Sequence, residues 1–461
     1  MRQKPAPPAA GYGLVRALSR LLVGLFYRRV DVVGLERIPA RGPLIVAPNH
    51  HNALVDGLLL LAKAPRPLMP VAKAPLFHHP LIGPFLRLLG AVPVHRRQEA
   101  GDDPARNLAM FSAVADALRA GGAILIFPEG VSQPEPTLMP VRTGAARMLL
   151  AARAQGSEPV TLLPVGLLFH EPGTFRSGWA LVVVGEPVPS EDCVTAAAAG
   201  PQEAAHRLTE RLADALRRLI VEVEDRHTLR LVEHAEAVWR EERPESAHDP
   251  AARAEWRQRA ARAYRYLLTR EPERMARLRR QLERYVKDLE SAGLTGRQLA
   301  ETYPPRVVAG YALSQAGALL LGLPLAAWGL VNHAAAYWLT ALATRLVRPD
   351  PDAEATFKLA AALILYPAVW MTEGWIAWRL GGGWLLAVFI AGLLPTGFFA
   401  LTWAERLGRV IREARGLFRF LVDRDLHRHL RSRRRAVMEE VTALLAMVPE
   451  SVLAGRAEER P

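Results

Sequence analysis

The segment Val46-Ala-Pro-Asn-His-His-Asn-Ala-Leu-Val-Asp56 holds the residue types that could do chemistry, His51 and Asp56, with four residues between them. On a continuous helix of ~3.6 residues per turn their side chains would stand about 140° apart. They meet only if His51 precedes the helix. The sequence allows this, because Asn49 to Asn52 reads as a turn with a capping residue and Asp56 falls in the first turns of an apolar helix that starts near Ala53. A carboxylate bonded to one imidazole nitrogen fixes the tautomer and leaves the other nitrogen free as a general base. With a reference pKa of ~6.5, neutral imidazole is present at physiological pH. Such a pair is common in structural roles, so its surroundings decide its weight.

Those surroundings predict an α/β domain. Between residues 30 and 188, apolar runs such as Pro43-Leu-Ile-Val-Ala, Ala123-Ile-Leu-Ile-Phe, Val160-Thr-Leu-Leu-Pro-Val and Ala180-Leu-Val-Val-Val alternate with amphipathic stretches at 104–120 and 143–154. Continuous apolar strands separated by helices specify a mostly parallel central sheet flanked by helices. This domain is expected over residues 30–195. A helical soluble region of connecting character then spans 196–306, rich in Ala, Arg, Glu and Leu.

Composition bounds the rest. The chain has 461 residues, a formal net charge of +13 and one cysteine, Cys193, which excludes an internal disulfide and any Cys-rich zinc or CxxC redox site. Residues 1–29 are basic without an acid, with leucines at helical spacing, and read as an amphipathic membrane-surface helix. Between Val307 and Thr344 there is no Asp, Glu, Lys or Arg. Such a stretch is membrane-spanning sequence. A transmembrane region over 307–404 is expected to make four spans, turning at Gly322 and Pro324 in the first pair and at Gly381-Gly382-Gly383 in the second. An even number keeps both ends on one side. The Arg-rich tail, residues 405–461, is placed in the cytoplasm with the catalytic domain, which makes the chain an integral protein of the cell membrane. Anionic lipid headgroups account for the tail more simply than nucleic acid, since no nucleic-acid fold precedes it. Glu373 is an acid within the third expected span.

At this point a resemblance enters. Asn49-His50-His51-Asn52-Ala53-Leu54-Val55-Asp56, Gly90-Ala-Val-Pro-Val-His-Arg96, Phe127-Pro128-Glu129-Gly130 and Leu163-Pro164-Val165-Gly166 follow one another in the order of four sequence blocks. In this ordered set the chain resembles the glycerolipid acyltransferase superfamily over roughly residues 30–190. The membrane region and tail that follow resemble the fungal-type glycerol-3-phosphate acyltransferases more loosely. The resemblance implies a fold of that type and transfer of a fatty acyl group from acyl-CoA or acyl carrier protein, with no cofactor, to a hydroxyl of glycerol 3-phosphate or 1-acylglycerol 3-phosphate. It takes His51 as the base and Asp56 as its orienter, with His50 filling the turn. It gives Arg96 to substrate phosphate. Glu129 would bind acceptor hydroxyls or orient Arg96, and Gly130 would let backbone approach the ligand. After Phe-Pro-Glu-Gly the chain reads Val131-Ser132-Gln133 where many members have Thr-Arg-Ser, so Arg142 is the expected replacement cation.

Other readings have less support. His78, His79 and His95 accompany no HExxH or Cys-His spacing, so no metal is expected. No G-x-S-x-G elbow marks a serine hydrolase. A remodelling or aminolipid acyltransferase is the near alternative, and a transporter or scaffold carrying an inactive domain is the distant one.

Overall fold

The computed structural model describes residues 11–78, 82–94, 104–170, 176, 178–242, 249–292, 305–350, 353–422 and 424–454. Two compact units divide the chain, one made of Met1–Arg226, Pro250–Gln258 and Pro349–Phe357, the other of His227–Asp249, Arg259–Arg348 and Lys358–Pro461.

The first unit is built on a seven-stranded sheet in the order β1-β7-β6-β2-β5-β3-β4. Its strands are β1 (Arg29–Val33), β2 (Leu44–Pro48), β3 (Met69–Lys73), β4 (Val92–Val94), β5 (Ala123–Leu125), β6 (Thr161–Phe169) and β7 (Trp179–Val184). Each neighbouring pair is parallel except β6 with β7, which runs antiparallel. The central strands β2, β5 and β6 read as unbroken apolar runs because helices cover both faces. From β2 the chain crosses to β3 through α2 (Ala53–Lys63), fills the β5 side, and then returns to place β6 on the opposite flank of β2. That reversal opens a crevice at the carboxyl ends of β2 and β5, where open α/β sheets carry their sites.

Three boundaries differ from expectation. The N-terminal helix α1 (Tyr12–Phe26) is part of the domain: Tyr12, Val15, Ser19, Val23 and Phe26 are buried, while Arg16 and Arg20 donate to the α2 C-terminal carbonyls of Ala64 and Ala62. Two cations that seemed free for lipid are thus engaged at the negative end of a helix. Leu14 and Leu21 still face outward. The domain also runs past residue 195. Helix α7 (Pro201–Leu219) lays Ala204, Leu208, Leu212 and Leu216 into the same core as Ile45, Ile124 and Leu149, so the first unit continues to Arg226.

The third difference lies in the apolar region. Residues 307–344 do not turn at Gly322 and Pro324; they belong to one unbroken helix, which we label α11 (Pro305–Val347), after α8 (Arg226–Glu242), α9 (Pro250–Arg270) and α10 (Pro272–Ala292). Proline inside an apolar helix is tolerated where neighbouring groups take up the freed carbonyls. The next helix, α12 (Glu354–Val422), does break where expected, at Gly382, whose φ of 66° and ψ of −158° lie outside helical space. The first expected pair is therefore a single helix, and the second is a helix broken at Gly382. Ala309–Val347 and Glu354–Ala414 are long and apolar enough to cross a membrane. Within the second unit, α13 (Arg424–Ala446) packs Leu430 and Val437 against Leu231, Leu282 and Tyr285 of α8 and α10.

Candidate active site

Asp56 sits in the first turn of α2 and is fully buried. Its Oδ2 accepts three hydrogen bonds, from His50 Nδ1 at 2.9 Å, His51 N at 2.6 Å and Asn52 N at 2.8 Å. The expected partnership of the His51 ring with Asp56 is thereby corrected: the imidazole on the carboxylate belongs to His50. His51 gives Asp56 only its backbone N–H, and its ring turns the other way, with Nδ1 donating to the Gln133 carbonyl at 3.0 Å. The cause is the chain path into α2. Ala53 has φ of 33°, an uncommon left-handed value for a residue with a side chain, and the backbone ahead of it curls around Asp56 so that consecutive N–H groups converge on one oxygen. The ring one residue further back is the one left facing that oxygen.

The His50 ring stacks on Phe127, with centroids 3.9 Å apart and planes 22° apart. Its side chain is 14% exposed, so the face away from Asp56 is reachable. A carboxylate acceptor puts the hydrogen on Nδ1, and Nε2 keeps its lone pair. His51 is enclosed: its ring meets Phe169 edge-on, and burial pushes its pKa down, against the raising effect of the nearby Asp56 charge. It is a neutral, hydrogen-bonded side chain within the wall.

Strand register supplies the second half of the site. Val46 pairs with Leu125 in the parallel β2–β5 ladder, which carries His50 to the level of Glu129 just beyond the two strands. Glu129 bonds backbone with both of its carboxylate oxygens. Its Oε1 accepts the His50 N–H at 2.7 Å and its Oε2 the Met139 N–H at 2.9 Å, so it ties the β2 exit to the far end of its own loop. Burial raises its pKa to about 7, although both N–H donors pull the other way. The same loop is bonded back through Gln133 N to the His50 carbonyl, and Arg226 clasps the Pro134 carbonyl.

Gly130 has φ of 72°, and a Cβ there would lie 3.2 Å from Arg142 Nε. The glycine makes room for the Arg142 stem. Arg142 is exposed, and its guanidinium has no hydrogen bond or ion pair among the described residues. Arg96 lies outside the described residues, as do His79 and His95. No three His, Cys, Asp or Glu side chains among the described residues converge to hold a metal ion.

Sequence reasoning missed His50 as the partnered ring, together with the supports Asn49, Phe127 and Gln133. Asn49 completes the β2–β6 ladder with its side chain, donating to Leu167 O at 3.0 Å and accepting from Leu167 N at 2.6 Å. A detectable signal was the parallel register of β2 with β5, which brings Glu129 beside position 50.

Comparison with known proteins now places the domain. Residues 29–168 match the protein family described as Acyltransferase. Over this stretch the chain is similar to glycerolipid acyltransferases. The acyltransferase domain has relatives of several kinds. An uncharacterized acyltransferase of Schizosaccharomyces pombe is 24% identical over 302 residues, covering 46% of this chain and 44% of that protein. The chloroplastic 1-acyl-sn-glycerol-3-phosphate acyltransferase of Brassica napus is 25% identical over 165 residues, 35% of this chain and 46% of the other. Glycerol-3-phosphate O-acyltransferase 2 of Saccharomyces cerevisiae is 39% identical over 83 residues, 18% of this chain and 11% of the other, a likeness to the fungal type. The chain spans less than half the length of each of these relatives.

Proposed function

We propose that the chain is a membrane-bound O-acyltransferase that moves a fatty acyl group from a thioester, acyl-CoA or acyl carrier protein, to a hydroxyl of glycerol 3-phosphate or 1-acylglycerol 3-phosphate, with His50 as the base. The observation that carries this reading is the His50 Nδ1 to Asp56 Oδ2 bond of 2.9 Å on a partly open ring. Within the superfamily, relatives named as glycerol-3-phosphate and 1-acylglycerol-3-phosphate acyltransferases favour a phosphorylated glycerol acceptor.

In this mechanism His50 Nε2 takes the hydroxyl proton as the oxygen attacks the thioester carbonyl. Asp56 stabilises the imidazolium that forms, as the carboxylate of a triad does. Collapse of the tetrahedral adduct releases the thiol carrier, which takes the proton from Nε2. The products are lysophosphatidate or phosphatidate and free thiol. Arg142 supplies a charge-assisted donor for the acceptor phosphate, with Arg96 as the second cation. His51 and Glu129 hold the loop walls and touch no substrate. No cofactor is needed. The two long apolar helices anchor the enzyme in the cell membrane, with the catalytic domain facing the cytoplasm.

The test uses purified full-length protein in vesicles with labelled acyl-CoA and both acceptors. His50→Ala is expected to lose about 10²- to 10⁴-fold in kcat, the usual contribution of a positioned base. His51→Ala keeps the reaction within about tenfold. The reverse ranking would return the role to His51, and full turnover in both variants would remove base catalysis by either ring. Competition between the acceptors, scored by the lipid formed, separates the two substrate assignments and the remodelling alternative.

A further inference from the structure

The helix that carries Asp56 is completed by a residue from the other end of the chain. Asn52, at the N-cap of α2, makes no side-chain cap; its Nδ2 reaches instead toward Tyr27 Oη at 3.5 Å, and its Oδ1 has no partner. The N–H of Leu54, in the first turn, would then be left without an acceptor. Thr356 Oγ1 accepts it at 3.2 Å. Thr356 lies in the first turn of α12, within Pro349–Phe357, which is part of the first compact unit. Among the described residues there, Ala353 N donates to Asp350 O, Phe357 N donates to Ala353 O, and Ala355 is fully buried.

The bond falls at a sensitive place. Ala53, directly before Leu54, holds a left-handed φ of 33°, and such values persist only where surrounding contacts hold them. The curl at Ala53 is what aims the N–H groups of His51 and Asn52 and the ring of His50 at Asp56 Oδ2. A brace on Leu54 therefore acts on the angle between His50 and Asp56 without touching either.

We propose that Thr356 is a positioning residue, through which the first turn of α12 holds the start of α2 in the geometry that the His50–Asp56 pair requires. The proposal rests on the reading of His50 as base. Thr356 meets no substrate; it acts through Leu54 and the turn before it.

The experiment compares full-length wild type, Thr356→Val, Thr356→Ser and His50→Ala in vesicles of neutral and anionic phospholipid. Amide exchange at Leu54 is read by mass spectrometry, and kcat and KM are read with labelled acyl-CoA. Thr356→Val, which keeps the shape and loses the acceptor, is expected to speed Leu54 exchange at least about tenfold and lower kcat about five- to tenfold, the scale of one lost cap. KM for both substrates stays within about twofold. Thr356→Ser, which keeps the hydroxyl, restores both readouts; a purely steric role would not show that rescue. Unchanged exchange in Thr356→Val overturns the brace even in a preparation with no turnover. Unchanged kcat overturns its link to the site. Normal turnover in His50→Ala overturns the base assignment and leaves the exchange result standing.

Discussion

Neighbouring histidines with identical chemistry have different fates here, because a single oxygen sorts them. Asp56 Oδ2 takes the ring of His50 and only the backbone of His51. A one-residue choice of this kind was not legible in the sequence: family spacing favoured His51, while the deciding contacts, the Gln133 carbonyl and the Phe127 ring, are distant in the chain. Glu129 was legible as important, but its bonds to the His50 and Met139 N–H groups were not. Its pKa near 7, against 4.5 for an ordinary glutamate, means that the folded protein holds a proton that the unfolded chain has released. That preference contributes stability which is full below about pH 4.5 and is lost as pH rises through about 7. Wild-type Tm in detergent is expected to fall over that interval through this group, and Glu129→Gln, uncharged throughout, is expected to flatten that part of the profile. An identical slope in both proteins would remove the assignment. Arg142 gives the complementary case. Its guanidinium is exposed and unpartnered among the described residues, so Arg142→Ala is expected to leave Tm unchanged while raising acceptor KM about tenfold, the scale of a lost charge-assisted bond.

Elements set these positions through register. The central strands were legible because burial on both faces writes unbroken apolar runs, as in Leu44–Pro48 and Ala123–Leu125. Less visible were β1 and β4, which flank the sheet and are half exposed, and the antiparallel pairing of β6 with β7 leaves no mark in composition. Asn49 shows what such a ladder requires at its end. It is 1% exposed, and its amide replaces a backbone rung against Leu167. Asn49→Leu removes both bonds and leaves a buried N–H and C=O unpaired, at about 1–3 kcal/mol each. A Tm drop of several degrees and a loss of turnover are expected together, measured by thermal melting and acyl transfer. Asn49→Asp, which keeps an acceptor for Leu167 N, should be the milder change at low pH, where its second oxygen carries a proton to donate.

At the scale of the whole molecule, the second unit displays side chains that water does not favour. Leu313 is 77% exposed, Leu321 86% and Trp384 72%, in stretches of their helices that carry no Asp, Glu, Lys or Arg. Patches this large mark a surface meant for lipid. The existence of this region was legible from its charge-free length, whereas the course of its first helix was not, since Gly322 and Pro324 are turn residues in water and helix residues in hydrocarbon. Gly322 in fact sits beneath Phe399 and Trp403, where helices approach closely, and Gly329 lies against the backbone of Thr396 in the same way. Gly329→Leu is expected to push these helices apart at about 1–3 kcal/mol, seen as a lower Tm in detergent. Gly310→Leu, with open space around it, should melt as wild type does.

The pairing of β1 with β7 and the bond from Leu54 to Thr356 together fix a chronology for synthesis. The edge strand made near the start must wait for Trp179–Val184 to leave the ribosome, yet the sheet can close before any residue of α11 is translated. Leu54 waits longer, until the first apolar helix has been handed to the bilayer and the chain has emerged beyond it. The sheet of the first unit would therefore be complete while the start of α2 still lacks the acceptor that Thr356 brings.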